Sequence, residues 1–246
     1  MNICVLSKDP RYKELSKLLN NNGFNSLTCT EENLRICDIL ILSVKKEYSD
    51  EQLIKTGVLL KSDCVIFSGS SQLICNLLNR SIIDYSKDCS FLQKNAELTA
   101  EAALSLIYSE TKKSLSGQRV LVAGYGRISK ALCKILRFLG AKVFVYARRK
   151  EIKEEIAACG YTNVCLNKLP SCDIILNTVP SVIFTNKIIR DISKDTFLFE
   201  LASSPGGYEE LTRVIDGTRL PGRILPKSAA RVIFETIVPY FPDEKG

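Results

Sequence analysis

Residues 118–150 read QRVLVAGYGRISKALCKILRFLGAKVFVYARRK, an apolar run, a glycine turn, an amphipathic segment and a second apolar run. The run from Arg119 to Ala123 is rich in β-branched residues and predicts a strand buried on both faces. From Arg127 to Leu139 apolar residues recur every three or four positions, which predicts a helix. Gly140 suits the C-cap of that helix, and Lys142 to Ala147 predicts the second strand. Together these elements predict one βαβ unit.

The glycine turn has the spacing of the dinucleotide fingerprint GxGxxG, with Ser129 in place of the third glycine. Gly124 permits a sharp turn out of the strand, and Gly126 has no Cβ, so a pyrophosphate can approach the main chain. Free N–H groups and the positive end of the helix dipole then hold the phosphates. The alternative is a tight turn that binds nothing. The predicted cofactor-binding residues of this turn are Gly124, Tyr125, Gly126, Arg127 and Ile128.

The end of the second strand indicates which nucleotide binds. An NAD site has an acid there, roughly 20 residues past the glycines, for the ribose 2′-hydroxyl. Here Arg148 and Arg149 follow the strand, and the next acid, Glu151, lies in the following helix. Because Arg binds phosphate in a fork, we predict NADP(H) rather than NAD(H) as the cofactor. The alternative is a solvated helix start.

Length and composition limit the classes of protein that need to be considered. A chain of 246 residues, 46% apolar and 25% charged, can form two globular domains. It has no apolar run long enough for a membrane span and no signal-peptide pattern, so a cytoplasmic location is expected. The net charge of +7 comes from scattered residues. This pattern argues against a nucleic-acid surface and favours small anionic ligands.

The sequence contains no histidine, which excludes a His general base, a Ser-His-Asp triad and any His-ligated metal. Ten cysteines are present without a CxxC pair, so we expect no metal site. Protons must therefore move through Lys, Glu, Asp, Tyr, Cys or water.

Strands and helices alternate along the whole chain, which predicts an α/β fold. We expect two Rossmann-type doubly wound domains with parallel sheets and an interdomain cleft. Residues 1–95, completed by a C-terminal helix in 226–246, form the N-terminal substrate domain, and residues 96–225 form the NAD(P)-binding domain. A helix opening at Asn95, with Thr99 as its N-cap, is expected to connect them.

Two further strand ends are candidate ligand sites, since parallel sheets bind ligands at the carboxyl ends of their strands. The strand Asp173 to Asn177 ends in a loop that is expected near the nicotinamide, and it adds Asn177, Thr178, Val179 and Pro180 to the cofactor residues. The strand Asp63 to Phe67 leads into Ser68, Gly69 and Ser70. The alternative for these serines is a helix N-cap.

Several short motifs occur in one order, and together they resemble those of the family of the dehydrogenase-like subunit of dipicolinate synthase. They are Val65–Gly69, Asn95 with Thr99–Glu101, Gly124-x-Gly126-Arg127, Ala147-Arg148, Asn177–Ser181, Leu201–Ser203 with Pro205–Gly207, Leu220–Gly222 and Pro226-Lys227.

This resemblance implies an oxidoreductase for the last step of dipicolinate synthesis in spore formation. A hydroxy-tetrahydrodipicolinate or dihydrodipicolinate intermediate would be oxidised with NADP+ or NAD+. It also implies a partner in the form of a second, flavoprotein-like subunit; further copies of the chain are another expected partner. The chain departs from the family in a shorter N-terminal domain, in Ser129, and in Ser204, which stands where the family has an Arg.

The implied substrate carries two carboxylates, which need cations and N–H donors. Arg11, Arg223 and Lys227 are the candidate cations, and Ser68, Gly69 and Ser70 the candidate donors. Lys227 is also the candidate base, because burial beside other cations would lower its pKa; the alternative is a surface lysine. Glu101 is the candidate proton carrier, or else an acid that stabilises the first turn of a helix.

Two other functions stay open at this point. One is another NADP-linked reductase of a cyclic imine or keto acid, which the missing Arg at position 204 favours. The other is a non-catalytic partner subunit that senses NADPH.

Overall fold

The computed structural model describes residues 1–44, 47–69 and 71–242, except for the side chains of residues 71–73. The chain divides into two compact units, Met1–Asn95 with Pro221–Gly246 (unit 1) and Ala96–Leu220 (unit 2). Each unit is built on one parallel sheet, so the predicted class of two parallel-sheet α/β domains is confirmed.

The strands predicted at residues 63–67, 119–123, 142–147 and 173–177 are present, and seven further strands complete the two sheets of the described chain. In chain order, the strands are β1 (Asn2–Leu6), β2 (Asn25–Leu27), β3 (Ile39–Leu42), β4 (Val65–Ser68), β5 (Ile83–Asp84), β6 (Arg119–Ala123), β7 (Lys142–Tyr146), β8 (Thr162–Asn163), β9 (Ile174–Asn177), β10 (Phe197–Glu200) and β11 (Val214–Asp216).

Helices connect the strands in both units. They are α1 (Pro10–Asn21), α2 (Glu31–Arg35), α3 (Asp50–Leu59), α4 (Ser71–Leu78), α5 (Cys89–Thr111), α6 (Arg127–Phe138), α7 (Lys150–Ala158), α8 (Asn186–Asp191), α9 (Leu220–Ile224) and α10 (Pro226–Ile237).

Unit 1 has the strand order β2-β1-β3-β4-β5. The strand β3, with the sequence ILIL, is buried at every position, as expected for a central parallel strand. The helix α1 begins after Asp9, whose side chain accepts the N–H of Arg11, and Pro10 starts its first turn. The C-terminal helix α10 packs against α1 within this unit, through its buried face of Ala229, Ile233 and neighbouring apolar residues.

Unit 2 has the strand order β11-β10-β9-β6-β7-β8. The strands β6 and β9 are neighbours although they are not consecutive, so the sheet runs outward in two directions from this pair. A doubly wound sheet binds its ligand where the strand order reverses in this way, outside the carboxyl ends of the two strands. Here that place lies beyond Ala123 and Asn177, which are register partners.

The start of α5 was predicted incorrectly. The helix begins at Cys89, so Thr99 is an interior residue and not its N-cap. The carboxylate of Asp88 accepts the N–H of Phe91 at 2.7 Å and takes the capping role eleven residues before Thr99. The alternative interpretation of Glu101 as a first-turn acid is wrong for the same reason.

Among the described residues, no helix is both long enough and apolar enough to cross a bilayer.

Candidate functional site

The turn after β6 requires glycine at position 124. Gly124 has a φ of +100°, and a Cβ built there would lie 2.5 Å from Thr178 Oγ1. Its N–H donates to the carbonyl of Tyr146 at 2.9 Å, which continues the pairing of β6 with β7. Glycine at this position therefore allows a sharp turn out of β6, and it also allows the turn to pack closely against the loop after β9.

Gly126 differs from Gly124, because a Cβ at this position would meet no atom within 4 Å. Gly126 is the N-cap residue of α6, and no side chain caps this helix. The beginning of α6 therefore faces open space, with N–H groups that have no intrahelical partner. A diphosphate fits such a place, because these N–H groups and the helix dipole both attract anions.

Ser129 replaces the third glycine of the fingerprint without loosening the contact between helix and strand. It is fully buried, and its hydroxyl lies 2.6 Å from Thr178 Oγ1. Because Thr178 donates its own proton to the carbonyl of Ala123 at 2.8 Å, Ser129 is the donor of this pair. The serine thus ties α6 to the ends of β6 and β9.

The other residues of the turn have different surroundings. Tyr125 is half-buried, with its ring edge-on to Tyr161 and the ammonium of Lys130 5.3 Å from its centroid. Burial raises the pKa of the Tyr125 phenol, so this side chain is neutral at pH 7. Arg127 is exposed and Ile128 is half-buried.

The end of β7 presents two guanidinium groups to solvent. Arg148 and Arg149 are both exposed, and neither guanidinium makes an ion pair or hydrogen bond with any described residue. The first acid beyond β7 is Glu151, in the first turn of α7. Both cations are therefore available to an anionic ligand beside the glycine turn.

Asn177, at the end of β9, is fully buried. Its amide nitrogen donates to Glu200 Oε1 at 2.7 Å and to the carbonyl of Val179 at 3.0 Å, and its amide oxygen accepts the N–H of Val179 at 3.1 Å. The side chain thus shapes the loop after β9, while Thr178 and Val179 are half-buried and Pro180 is exposed.

Glu200 is a buried acid that the sequence analysis did not single out. It ends β10 and is only 6% exposed. Besides Asn177, the N–H groups of Ala202 and Gly207 donate to its carboxylate, at 2.8 and 2.6 Å. Burial raises the pKa of the Glu200 carboxyl, although these donors act in the opposite direction. The available signal was an acid at the end of an apolar strand, followed by Gly206-Gly207.

Arg11 lies at the start of α1 in unit 1 and is nearly buried. Its guanidinium forms a fork with Asp9, with Nε 3.0 Å from Oδ1 and Nη2 2.9 Å from Oδ2. A Cβ at Gly222 would lie 2.6 Å from Asp9 Oδ1, so α9 covers this pair closely. The Arg11 nitrogens that would bind a substrate carboxylate are therefore already hydrogen-bonded to Asp9.

Ser68 and Gly69 lie at the end of β4, and both point a donor at the carbonyl of Ser43. The Ser68 hydroxyl is 3.4 Å from that oxygen and the Gly69 N–H is 3.3 Å from it. A Cβ at Gly69 would lie 2.6 Å from Val44 Cα, so the loops after β3 and β4 touch here. The third predicted donor, Ser70, lies outside the described residues.

The remaining candidates are all exposed. Lys227 lines a groove between α1 and α10 together with Glu14 and Lys17, so it is not buried as the predicted base would be. Arg223 is in α9, and Glu101 is in the middle of α5. In the described part of the chain, no group of three or more Cys, Asp or Glu residues could hold a metal ion.

Comparison with known proteins agrees with this geometry. Residues 92–195 match the family model of the D-isomer specific 2-hydroxyacid dehydrogenase NAD binding domain, which supports a nicotinamide cofactor. The A chain of dipicolinate synthase from Bacillus subtilis (strain 168) is 28% identical over 184 residues. This match covers 69% of the present chain and 62% of the length of the relative.

The fold is similar to two crystal structures. The dipicolinate synthase A chain from Bacillus subtilis has a TM-score of 0.78 at 23% identity, with 98% of this chain and 95% of that chain covered. The corresponding dipicolinate synthase chain from Bacillus halodurans has a TM-score of 0.81 at 22% identity, with 97% of both chains covered. The resemblance predicted from the motifs is therefore confirmed, and the chain is similar to the dehydrogenase-like subunit of dipicolinate synthase in both sequence and fold.

Proposed function

We propose that the chain is an NADP(H)-dependent oxidoreductase subunit that forms dipicolinate from a hydroxy-tetrahydrodipicolinate or dihydrodipicolinate intermediate. The hydroxy intermediate would first lose water, and the dihydrodipicolinate would then lose one hydride and one proton. The observation that supports this proposal most directly is the open space at Gly126. This residue lies at the uncapped start of α6, at the strand pair where the sheet of unit 2 reverses its order. In a doubly wound sheet, this is the place that receives a dinucleotide.

The residues of unit 2 fit the parts of such a nucleotide. The main chain from Gly124 to Ile128 would hold the diphosphate, and the loop Thr178–Pro180 would face the nicotinamide half. Arg148 and Arg149 would bind the 2′-phosphate in a charge-assisted contact. When bound, NADP+ supplies an acceptor for the hydride that leaves the substrate.

The choice of NADP(H) over NAD(H) is tested by calorimetric titration of the wild-type chain and an Arg148→Ala/Arg149→Ala variant. Hydrogen bonds to charged groups are worth about 1.5–3 kcal/mol. We therefore expect the wild type to bind NADPH at least about tenfold more tightly than NADH. The double variant should lose this preference and keep its affinity for NADH.

A matched control is Arg190→Ala, because Arg190 is an exposed arginine at the end of α8, before the start of β10. This change should leave both affinities unaltered. A wild type that binds NADH more tightly than NADPH would refute the assignment.

The proposed substrate carries two carboxylates. Arg11, Arg223 and Lys227 are proposed as the cations that bind them, and Arg11 would have to exchange its fork with Asp9 for one with the substrate. The serine donors near β4 are proposed as neutral partners for the same ligand. Glu101 is proposed as a proton carrier.

Lys227, whose side chain is exposed, is proposed as the residue that binds a carboxylate of the substrate. Replacing it with alanine should abolish turnover with a hydroxy-tetrahydrodipicolinate or dihydrodipicolinate substrate, while calorimetry should find unchanged NADPH affinity. Lys17 lines the same groove and forms an ion pair with Glu14, so Lys17→Ala is the matched control and should remain active. Wild-type rates in Lys227→Ala would discard this role.

A second function is favoured by Ser204. The resemblance to the dipicolinate synthase family implies an Arg at this place, and serine would not supply that carboxylate binder. The chain would then act on a related cyclic imine or keto acid, and a turnover screen with NADPH over both substrate classes separates the two functions. A second, flavoprotein-like subunit is proposed as a partner in either case, and co-purification tests it.

A further inference from the structure

We propose that Glu200 is a positioning residue that holds the nicotinamide half of the nucleotide site in shape. This inference rests on the proposed nucleotide binding and adds a residue that has no assigned role. Glu200 ends β10, and its register partner on the neighbouring strand is Asn177, the last residue of β9. Both strands belong to the half of the sheet that receives the nicotinamide end of a dinucleotide, since β6 and β7 receive the adenine end.

The Glu200 carboxylate joins the two loops that follow these strands. Oε1 accepts from the amide of Asn177 and from the N–H of Ala202, and Oε2 accepts from the N–H of Gly207. Asn177 in turn makes two hydrogen bonds with Val179. Its amide nitrogen donates to the Val179 carbonyl, and its amide oxygen accepts the Val179 N–H. The loop after β9 therefore depends on an acid in β10.

The connection continues to the glycine turn. A Cβ at Gly124 would lie 3.1 Å from Val179 Cγ2, so the side chain held by Asn177 closes one side of that turn. On the other side of the carboxylate, a Cβ at Gly206 would lie 2.8 Å from Glu200 Oε2, and one at Gly207 would lie 2.3 Å from the Asn177 amide nitrogen. The loop of residues 201–207 is thus packed directly on this acid.

Both carboxylate oxygens are engaged by N–H donors, so the group is placed to orient its neighbours and not to carry a proton. A carboxylate is the side chain that accepts from all three donors at once. Glutamine at this position would turn an NH2 group toward at least one of these N–H groups, and that hydrogen bond would be lost. The shape of both loops is therefore sensitive to a change that preserves the size of the side chain.

The test compares two ligands that differ only in the nicotinamide. NADPH and 2′-phospho-ADP-ribose are titrated by calorimetry into the wild type and Glu200→Gln. We expect Glu200→Gln to weaken NADPH binding at least tenfold and 2′-phospho-ADP-ribose binding less than twofold. If the ratio of the two affinities is the same in Glu200→Gln as in the wild type, the positioning role is overturned.

Two further variants complete the experiment. Asp216→Asn removes an exposed carboxylate at the end of the adjacent strand β11, where it accepts the N–H of Thr218, and should leave both affinities unaltered. If Glu200→Gln does not fold, Asn177→Ala tests the same link, because it keeps both main-chain bonds to Glu200, and it should change the ratio in the same direction. A wild type that binds neither ligand would reject the proposed function itself.

Discussion

Gly124 and Gly126 lie two residues apart in one turn, yet their surroundings differ. Gly124 has a positive φ and touches Thr178, whereas Gly126 has a φ of −86° and faces open space. An alanine is therefore unfavourable at the first position for reasons of folding. At the second position an alanine is compatible with the fold, and its methyl group would occupy the space proposed for the diphosphate.

Alanine at the two glycines should have different effects: at position 126 it should remove NADPH binding with little change in stability, and at position 124 it should lower the stability. Gly126→Ala should change the free energy of unfolding by no more than about 1 kcal/mol, because the extended backbone there accepts alanine while alanine is a poorer N-cap than glycine. It should nevertheless abolish the heat of NADPH binding. Gly124→Ala should lose at least about 1 kcal/mol of stability, from the left-handed conformation alone. Chemical denaturation and calorimetry measure the two effects, and full NADPH affinity in Gly126→Ala would contradict the proposed diphosphate site.

The sequence was sufficient to predict this turn but not the polar network beside it. The turn is local, since all its glycines lie within one strand-to-helix corner. Glu200 and Asn177 are separated by 23 residues, and only the pairing of β9 with β10 brings them together. The pairing of Arg11 with Asp9 was missed although it is local, because a fork to a neighbouring carboxylate has no distinct pattern in sequence.

At the scale of elements, an ion pair joins the amino-terminal ends of β6 and β9, which lie at the opposite end of these strands from the glycine turn. Arg119 begins β6, and Asp173 precedes β9. Arg119 Nη2 lies 2.7 Å from Asp173 Oδ1, and the Arg119 N–H donates to Asp173 Oδ2 at 2.8 Å. The guanidinium lowers the pKa of the Asp173 carboxyl, and the main-chain bond acts in the same direction.

This pair predicts a pH-dependent contribution to stability. Because the folded-state pKa is lowered, the contribution is present above the ordinary carboxyl pKa of about 4 and is lost as the pH falls through the lowered value. Both side chains are more than one-third exposed, so screening by solvent keeps this contribution small. Asp173→Asn should therefore destabilise the chain at pH 7, and the difference from wild type should shrink as the pH falls below about 4, as measured by urea unfolding over this range. Asp195→Asn, an exposed acid, is the control, and a difference that stays constant over the whole pH range would contradict the assignment.

Central strands could be predicted from the sequence more reliably than edge strands or the start of a helix. Strands with long apolar runs, such as β3 and β6, were recognisable because burial on both faces requires such runs. The edge strands β2, β5 and β11 are only two or three residues long and are partly exposed, so their sequences resemble those of loops. The start of α5 was missed because an apolar periodicity further along the helix was a stronger signal than the cap at Asp88.

At the scale of the whole molecule, each of the two units is built on a parallel sheet, but the turns that follow their first strands, β1 and β6, differ. In unit 2 this is the open glycine turn. In unit 1 the turn after β1 is occupied by the carboxylate of Glu47, which accepts from the Ser7 hydroxyl at 2.9 Å and from the Lys8 N–H at 2.6 Å. A phosphate would have to compete with this acid, which is consistent with the proposal that unit 2 holds the nucleotide.

Unit 1 is also discontinuous along the chain, because α10 completes it only after all of unit 2 has been passed. On the ribosome, the second sheet can therefore finish folding while the first still lacks its last helix. Until that helix emerges, the apolar surface of α1 that it covers stays open to water and to other nascent chains. The part of unit 1 that is made first is thus completed only after unit 2 has been made, which lengthens the time during which it can associate wrongly with other chains.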